Sequence, residues 1–110
     1  MEEALLAVHV ERFNEGIRSG DFGPMLSGFA TDAELRFEGV PVGPFVGRDA
    51  IAEAYRTQPP TDEVRLLGAP RVEDGALVVD YAWASEGTRA GRMLRTARDV
   101  AIARLVVTFE

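Results

Sequence analysis

Two carboxylates occupy positions in the chain where a folded domain can shield them from water. Asp80 lies within an apolar run beside Ala82 and Ala84, whose small side chains leave space rather than fill it. Glu38 ends an earlier segment in which apolar and charged residues alternate. Two acids in different surroundings titrate at different pH, which lets one accept a proton while the other donates one. Asp80 and Glu38 are therefore the candidate catalytic residues, and the alternative is that both are surface acids paired with arginines.

Further polar side chains are candidates for binding a ligand. His9 titrates near neutral pH, and the hydroxyl of Tyr55 needs a partner when it is buried. Arg92 and Thr96 share a predicted strand face with Leu94, and the arginine fork suits a carboxylate or carbonyl group. The alternatives are that His9 and Tyr55 pack in the core and that Arg92 reaches solvent.

The composition excludes several classes of site. The chain has no cysteine, so disulfides, thiolate nucleophiles and cysteine-ligated zinc or iron–sulfur centres are ruled out. A single histidine and scattered acids make a poor set of metal ligands. We therefore expect neither a metal nor another cofactor.

The charge pattern bears on partners and location. The net charge is -6 at pH 7, and the twelve basic residues are all arginines spread along the chain, whereas a nucleic-acid surface needs them clustered. No apolar run approaches the ~18 residues of a membrane span, and the N-terminus begins acidic where a signal peptide is basic. We expect a cytoplasmic protein that binds neither nucleic acid nor membrane.

Hydrophobic periodicity indicates which elements position the candidate residues. Spacings of three and four place Leu6, Val10, Phe13 and Ile17 on one face of a helix. Later segments alternate or are rich in Val, Leu and aromatic residues, as strands are. The predicted elements are a helix over 3–19, a short helix capped by Asp21 with Met25, Leu26 and Phe29 buried, a strand over 33–38, a loop over 39–44, a helix over 48–56, and strands over 62–72, 76–86, 90–98 and 101–109. This order describes one α+β domain spanning residues 1–110.

Hairpin turns predict which strand residues share a face, because directly opposed residues point the same way. A turn at Asp74–Gly75 sets Asp80 and Ala82 on one face, and Tyr81 and Trp83 on the other. The ladder alone leaves open which of these faces lines a pocket.

The last two strands are expected to form a second hairpin. A turn at Asp99–Val100 pairs Leu94 with Leu105, Arg92 with Val107 and Thr96 with Ala103, on the face of Phe109. Both alternating sets of residues 101–109 are mainly apolar, so we expect a partner, most simply a second copy, to cover the outer face.

Three segments of the chain are familiar: Phe13–Phe22 with its Asn, Gly and Asp, Phe29–Ala33, and Val46–Ile51. Together they resemble the nuclear transport factor 2-like superfamily, in particular its ketosteroid isomerase and SnoaL-like group. The resemblance implies a cone-shaped, curved antiparallel sheet wrapped around three N-terminal helices, with an internal pocket on the concave side and a homodimer through the convex face. It places Asp80, Ala82 and Ala84 on the pocket side, and turns Tyr81, Trp83, Arg95 and Arg104 toward the partner.

The catalytic pattern of ketosteroid isomerase is an Asp base with an oxyanion hole made by a Tyr and a protonated Asp. Here the Tyr position is matched by Phe13 and the protonated Asp position by Leu94, and the base position falls on Phe37 or Glu38. The full set of candidate ligand-binding residues is His9, Phe13, Tyr55, Ala82, Arg92, Leu94, Thr96 and Leu105.

The predicted function is a small cofactor-independent enzyme of the ketosteroid isomerase-like or SnoaL-like type. It would perform acid–base chemistry on a small apolar substrate in the pocket. The alternative is a non-catalytic ligand-binding or dimerisation module with the same fold.

Overall fold

A computed structural model describes residues 2–110 of the chain, and the side chains of residues 5–110. Its elements are α1 Glu2–Ser19, α2 Gly23–Leu26, β1 Phe29–Glu38, β2 Phe45–Val46, α3 Arg48–Thr57, β3 Val64–Glu73, β4 Ala76–Trp83, β5 Arg89–Arg98 and β6 Ala101–Thr108. The predicted helices and long strands are confirmed, with small differences at their ends. Three details differ: Phe29 begins β1 instead of closing the short helix, β4 ends at Trp83, and the predicted loop is followed by the two-residue strand β2.

The six strands form one curved sheet in the order β2-β1-β6-β5-β4-β3. The predicted meander from β3 to β6 is confirmed as antiparallel. The prediction of an antiparallel sheet is wrong for one pair of strands, because β1 runs parallel to β6 and makes the sheet mixed. The fold is the expected α+β arrangement of three helices with a curved sheet. Among the described residues no helix is long and apolar enough to cross a membrane.

The core lies between the helices and the concave face of the sheet. Leu6 and Val10 of α1, Met25 of α2 and Ile51 of α3 are buried against it. The spacing of Leu6 and Val10 puts both on one helix face, and that face packs on the sheet. Burying each of these side chains contributes on the order of 2 kcal/mol.

Two rows of paired residues cross the concave face. One row runs Leu77, Arg95, Leu105 and Leu35 from β4 to β1, and the next runs Val79, Met93, Val107 and Phe37. The turn at Asp99–Val100 forms at the predicted place, with Arg98 opposite Ala101. A bulge then shifts the register between Thr96 and Ala97, so that Leu105 faces Arg95 instead of Leu94.

Asn14 joins α1 to the first residue of β3. Its Nδ2 donates a hydrogen bond to the carbonyl of Val64 at 2.8 Å, and the N–H of Val64 donates to its Oδ1 at 2.8 Å. The side-chain amide thus supplies the donor and acceptor that a peptide group of a neighbouring strand would supply. This pair fixes the height of the helix relative to the edge of the sheet.

Replacing Asn14 with Ala should lower the free energy of unfolding by about 2 kcal/mol, because two partly buried hydrogen bonds are lost and the backbone groups of Val64 are left unpaired. Urea denaturation followed by circular dichroism measures this. Glu11→Ala, at an exposed position of the same helix, serves as the control and should change stability by under about 0.5 kcal/mol. Equal stabilities for the two variants would contradict the role given to Asn14.

Candidate functional site

A cavity of about 180 Å³ lies between the helices and the concave face of the sheet. Aromatic and aliphatic side chains make up most of its wall. The lining residues are His9, Val10, Phe13, Ala54 and Tyr55 from the helices, Phe37, Phe45, Val64, Tyr81, Trp83, Met93, Leu105, Val107 and Phe109 from the sheet side, and Val42, Gln58 and Pro60 from loops.

The sheet wall of the cavity is a chain of touching aromatic rings. Ring centroids are 6.2 Å apart between Phe45 and Phe37, 5.8 Å between Phe37 and Phe109, 6.3 Å between Phe109 and Trp83, and 5.7 Å between Trp83 and Tyr81. Such pairs stabilise the wall beyond the area they bury. The wall is therefore strongly apolar.

Asp80 lies on the convex face, so the prediction that it lines the cavity with Ala82 and Ala84 is wrong. Its carboxylate is 3.6 Å from Arg71 and 3.4 Å from Arg89. The concave positions of β4 are taken by Val79, Tyr81 and Trp83. Aromatic side chains release far more apolar surface from water than alanines do, so the strand turns them inward and leaves its acid among arginines.

Arg92, Leu94 and Thr96 also lie on the convex face, and their predicted place in the pocket is wrong. Arg92 pairs with Asp80, Leu94 with Val78 and Val106, and Thr96 with Arg104. The bulge in the β5–β6 pair causes the error, because a one-residue change of register exchanges the faces of a strand. Tyr81, Trp83 and Arg95, expected to face a partner, are instead buried or half-buried on the concave side, whereas Arg104 is on the outer face.

Glu38 is exposed at the end of β1, and the neighbouring Phe37 lines the cavity. The position matched to the isomerase base is therefore occupied by a phenyl ring. With Asp80 outside as well, the described lining contains no carboxylate. The predicted pair of catalytic acids is not brought together.

His9, Phe13, Tyr55 and Leu105 all lie in the lining, as the sequence predicts, and their part in binding stays a prediction. They enter from α1, α3 and β6. Phe13 contacts Tyr55 with ring centroids 6.4 Å apart, which links the two helices at the cavity wall. Ala82 is buried on the opposite face of the sheet from these four residues.

His9 is a buried, uncharged histidine. Its side chain is 6% exposed, its ring packs edge-on against Phe29, and its Nδ1 makes no hydrogen bond with the described residues. Burial, together with the positive charges of Arg12 and Arg95, lowers the pKa of His9 to about 4. The imidazole is therefore neutral at pH 7, with one N–H donor and one acceptor nitrogen.

The two tyrosines of the cavity differ in how their hydroxyls are satisfied. Tyr81 donates a hydrogen bond to the carbonyl of Thr108 at 2.8 Å, and burial raises its pKa to about 12. The β5 residue paired with Tyr81 is Gly91, where a Cβ would lie 1.9 Å from the Thr108 carbonyl oxygen. Glycine thus allows the strands to approach closely enough for this bond. The hydroxyl of Tyr55 makes no hydrogen bond with residues 5–110, and burial raises its pKa.

Sequence reasoning missed most of the aromatic wall. Tyr81 and Trp83 were assigned to the convex face, and Phe45 and Phe109 were not proposed as lining residues. The signal that finds them is the size of the alternating side chains, because the larger set of a two-faced strand belongs in the core. Within residues 5–110 no group of three or more His, Asp or Glu side chains is placed to hold a metal ion.

Residues 10–110 match the SnoaL-like domain family. No curated protein matches the chain.

Solved structures share the fold at low sequence identity. An NTF-2 like protein of unknown function from Burkholderia xenovorans LB400 superposes with a TM-score of 0.69 at 14% identity, over 98% of this chain and 84% of that one. A protein from Sinorhizobium meliloti named as a polyketide cyclase has a TM-score of 0.65 at 20% identity, over 90% and 92%. A protein from Kribbella flavida DSM 17836 named as a ketosteroid isomerase has a TM-score of 0.68 at 12% identity, over 98% and 76%. At such low sequence identity, the structural similarity establishes the fold alone.

The neutral state of His9 makes stability depend on pH. Its pKa is about 4 in the folded chain and about 6.5 when unfolded, so the unfolded chain binds the extra proton first as pH falls. Above pH 6.5 His9 does not lower the free energy of unfolding. Between pH 6.5 and pH 4 it lowers the free energy of unfolding by roughly 3 kcal/mol.

Comparison with His9→Gln isolates this contribution from that of the carboxylates. Urea denaturation at several pH values should show the unaltered protein losing about 3 kcal/mol more than the variant between pH 7 and pH 4. Parallel stability curves for the two proteins would refute the burial of a neutral His9.

Proposed function

The chain belongs to the SnoaL-like domain family, within the nuclear transport factor 2-like superfamily, and on that premise we propose that it binds a compact apolar molecule in its central cavity. The observation that supports this most is the lining: aromatic and aliphatic walls with no carboxylate among the described residues. Sites for small molecules are concave, mainly apolar and supplied with a few polar groups, and this cavity has that character.

Three positions argue against the isomerase mechanism of the superfamily. Phe13 has no hydroxyl for an oxyanion, Phe37 has no base, and Leu94 points away from the cavity. A phenyl ring can contact a ligand, but it can neither accept nor donate a proton. The alternative from the sequence, a ligand-binding module, is therefore the function we favour.

A second candidate is a cofactor-independent isomerase or cyclase that uses His9. The buried imidazole with its unpartnered Nδ1 supports it, and two similar structures are named as a polyketide cyclase and a ketosteroid isomerase. The lowered pKa makes His9 a weak base but leaves it able to donate a hydrogen bond while neutral. Conversion of cyclohex-3-en-1-one to its conjugated isomer, abolished by His9→Gln, would move the assignment to this candidate.

Trp83 is the only tryptophan of the chain and lies in the lining, so its fluorescence reports on the cavity. Trp83 is excited at a wavelength that toluene does not absorb. Titration with toluene should then give a saturable change in Trp83 emission. Val107→Phe fills the cavity and should weaken toluene binding by at least about tenfold.

The matched control for this experiment is Val72→Phe, the same substitution at a side chain that is 69% exposed, and it should bind toluene as the unaltered protein does. Unchanged Trp83 emission in the unaltered protein would sink the proposal. Equal binding by the two variants would show that toluene binds elsewhere.

We further propose that a second copy of the chain covers the convex face. One row of paired residues crosses that face over five strands: Arg71, Val78, Leu94, Val106 and Arg36. The middle of the row is apolar, with Val78 and Val106 already buried in the single chain and Leu94 half-buried, and its two ends are arginines. An apolar centre with an arginine-rich polar rim is the usual anatomy of a protein interface.

The charges of the convex face are of both signs and form several ion pairs. Six arginines (Arg36, Arg65, Arg71, Arg89, Arg92, Arg104) and five acids (Glu34, Glu38, Glu73, Asp80, Glu110) alternate on it. The buried atoms Arg36 Nε, Arg92 Nε and Asp80 Oδ1 lie 3.6, 3.5 and 3.6 Å from an opposite charge, but they make no hydrogen bond with the described residues. Such a surface is complementary to itself, which suits the two-fold contact of a homodimer.

Leu94→Glu should therefore convert a dimer to a monomer, because it places a charge at the apolar centre of both contacting surfaces. Light scattering coupled to size-exclusion chromatography measures the mass, and it should fall from two chains to one. Val72→Glu at an exposed site is the control and should keep the mass of two chains. A monomeric unaltered protein at micromolar concentration would end this proposal.

A further inference from the structure

We propose that the ligand is an uncharged, one-ring molecule with a single oxygen function, which the imidazole of His9 binds. This inference rests on the proposed binding of an apolar molecule in the cavity. It adds the size, charge and polar group of that molecule.

The cavity limits the size of the ligand. At about 180 Å³ it is slightly larger than an apolar cavity of about 150 Å³ that binds benzene. One six-membered ring with a few added atoms therefore fits. A fused four-ring skeleton is far too large to be enclosed in this volume.

The lining excludes a charged ligand. Among the residues that line the described cavity none is Asp, Glu, Lys or Arg, so a carboxylate or ammonium group would meet no opposite charge in the wall itself. Burying an unpaired charge costs much more than an apolar ring gains by leaving water. Arg92, which suits a carboxylate, is on the other side of the sheet.

The unmet hydrogen-bonding capacity of the wall lies on the helices. On the sheet side, the hydroxyl of Tyr81 is already engaged with the carbonyl of Thr108. On the helix side, the Nδ1 of His9 is buried and makes no hydrogen bond within residues 5–110, and the hydroxyl of the half-buried Tyr55 makes none either. Buried polar groups without partners are uncommon, and a ligand is one way in which they are satisfied.

His9 is the stronger of these two anchors. It is more than nine-tenths buried, and its neutral ring offers both a donor and an acceptor nitrogen. A carbonyl oxygen can accept from the N–H, and a hydroxyl group can donate to the other nitrogen. One uncharged oxygen on a compact ring can therefore pair with one nitrogen of the imidazole without burying a charge.

Three probes of nearly equal size separate these features. Acetophenone has one ring and a neutral carbonyl oxygen, isopropylbenzene has a similar shape without oxygen, and benzoate is an anion. Isothermal calorimetry should show acetophenone binding about tenfold more tightly than isopropylbenzene, since one hydrogen bond is worth about that factor. Benzoate should not bind at concentrations that saturate the protein with acetophenone.

His9→Phe should bind acetophenone and isopropylbenzene equally, because the substitution keeps a ring and removes the nitrogens. A preference for acetophenone that survives in His9→Phe would overturn the inference. Equal affinity for the two probes in the unaltered protein would also overturn it, while leaving binding in the cavity intact.

The single histidine gives a test that needs no substitution. In protein with any purification tag removed, the imidazole ¹⁵N signals belong to His9 alone. They should shift on addition of acetophenone, and by much less on addition of isopropylbenzene, which reproduces the ring without the hydrogen bond. Equal shifts with both probes would overturn the inference. Failure of both probes to bind, with unchanged Trp83 emission, would overturn the proposed function together with it.

Discussion

The cavity depends on the constraint that successive side chains of a strand point to opposite faces of the sheet. Each strand must therefore commit its aromatic residues and its charged residues to different sides. On β4 the concave side receives Tyr81 and Trp83, and the convex side receives Asp80. Directly paired residues of neighbouring strands lie on the same face of the sheet. Arg92 is therefore on the convex face with Asp80, and Met93 and Val107 are on the concave face with Val79.

The constraint makes the position of the β5–β6 bulge decisive. Without it, the turn at Asp99–Val100 would pair Leu94 with Leu105 and put both on one face. The bulge moves Leu105 opposite Arg95 and sends Leu94 to the outer face. One unpaired residue thus places Met93 and Arg95, instead of Leu94, on the same face of the sheet as Leu105, Val107 and Phe109. Bulges of this kind bend a strand as well as shifting it, which suits a sheet that curves around its helices.

The same division explains which parts of the molecule could be predicted from the sequence. The element types followed from periodicity, since helix spacing in 3–19 and alternation in the later segments leave little ambiguity. The turn at Asp74–Gly75 followed from local residue preferences, whereas the tight turn at Asp99–Val100 formed although Val suits it poorly; both turns have an Asp at positive φ. The bulge, the parallel pairing of β1 with β6 and the two residues of β2 did not follow, because each depends on contacts between distant parts of the chain.

The candidate site was predicted less well for a related reason. Residues on helices were placed correctly, because His9, Phe13 and Tyr55 need only the helical period. Placing residues on strands also required knowing which face of the sheet is concave. A carboxylate next to small residues was interpreted as part of a pocket, and this put the wrong face inside. Side-chain volume was the better guide: Tyr81 and Trp83 fill a core, whereas Asp80 beside Ala82 leaves room for arginine side chains to lie across the strand.

An apolar wall and acid–base chemistry place opposite demands on the same cavity. A carboxylate buried without a partner would raise its own pKa or draw in water, and both effects cost stability. This chain avoids that cost by keeping Asp80 among the arginines of the convex face and by admitting one titratable imidazole, held neutral by burial. A neutral imidazole is a good hydrogen-bond donor and a weak base. The arrangement is therefore better suited to holding an uncharged oxygen than to removing a proton from carbon.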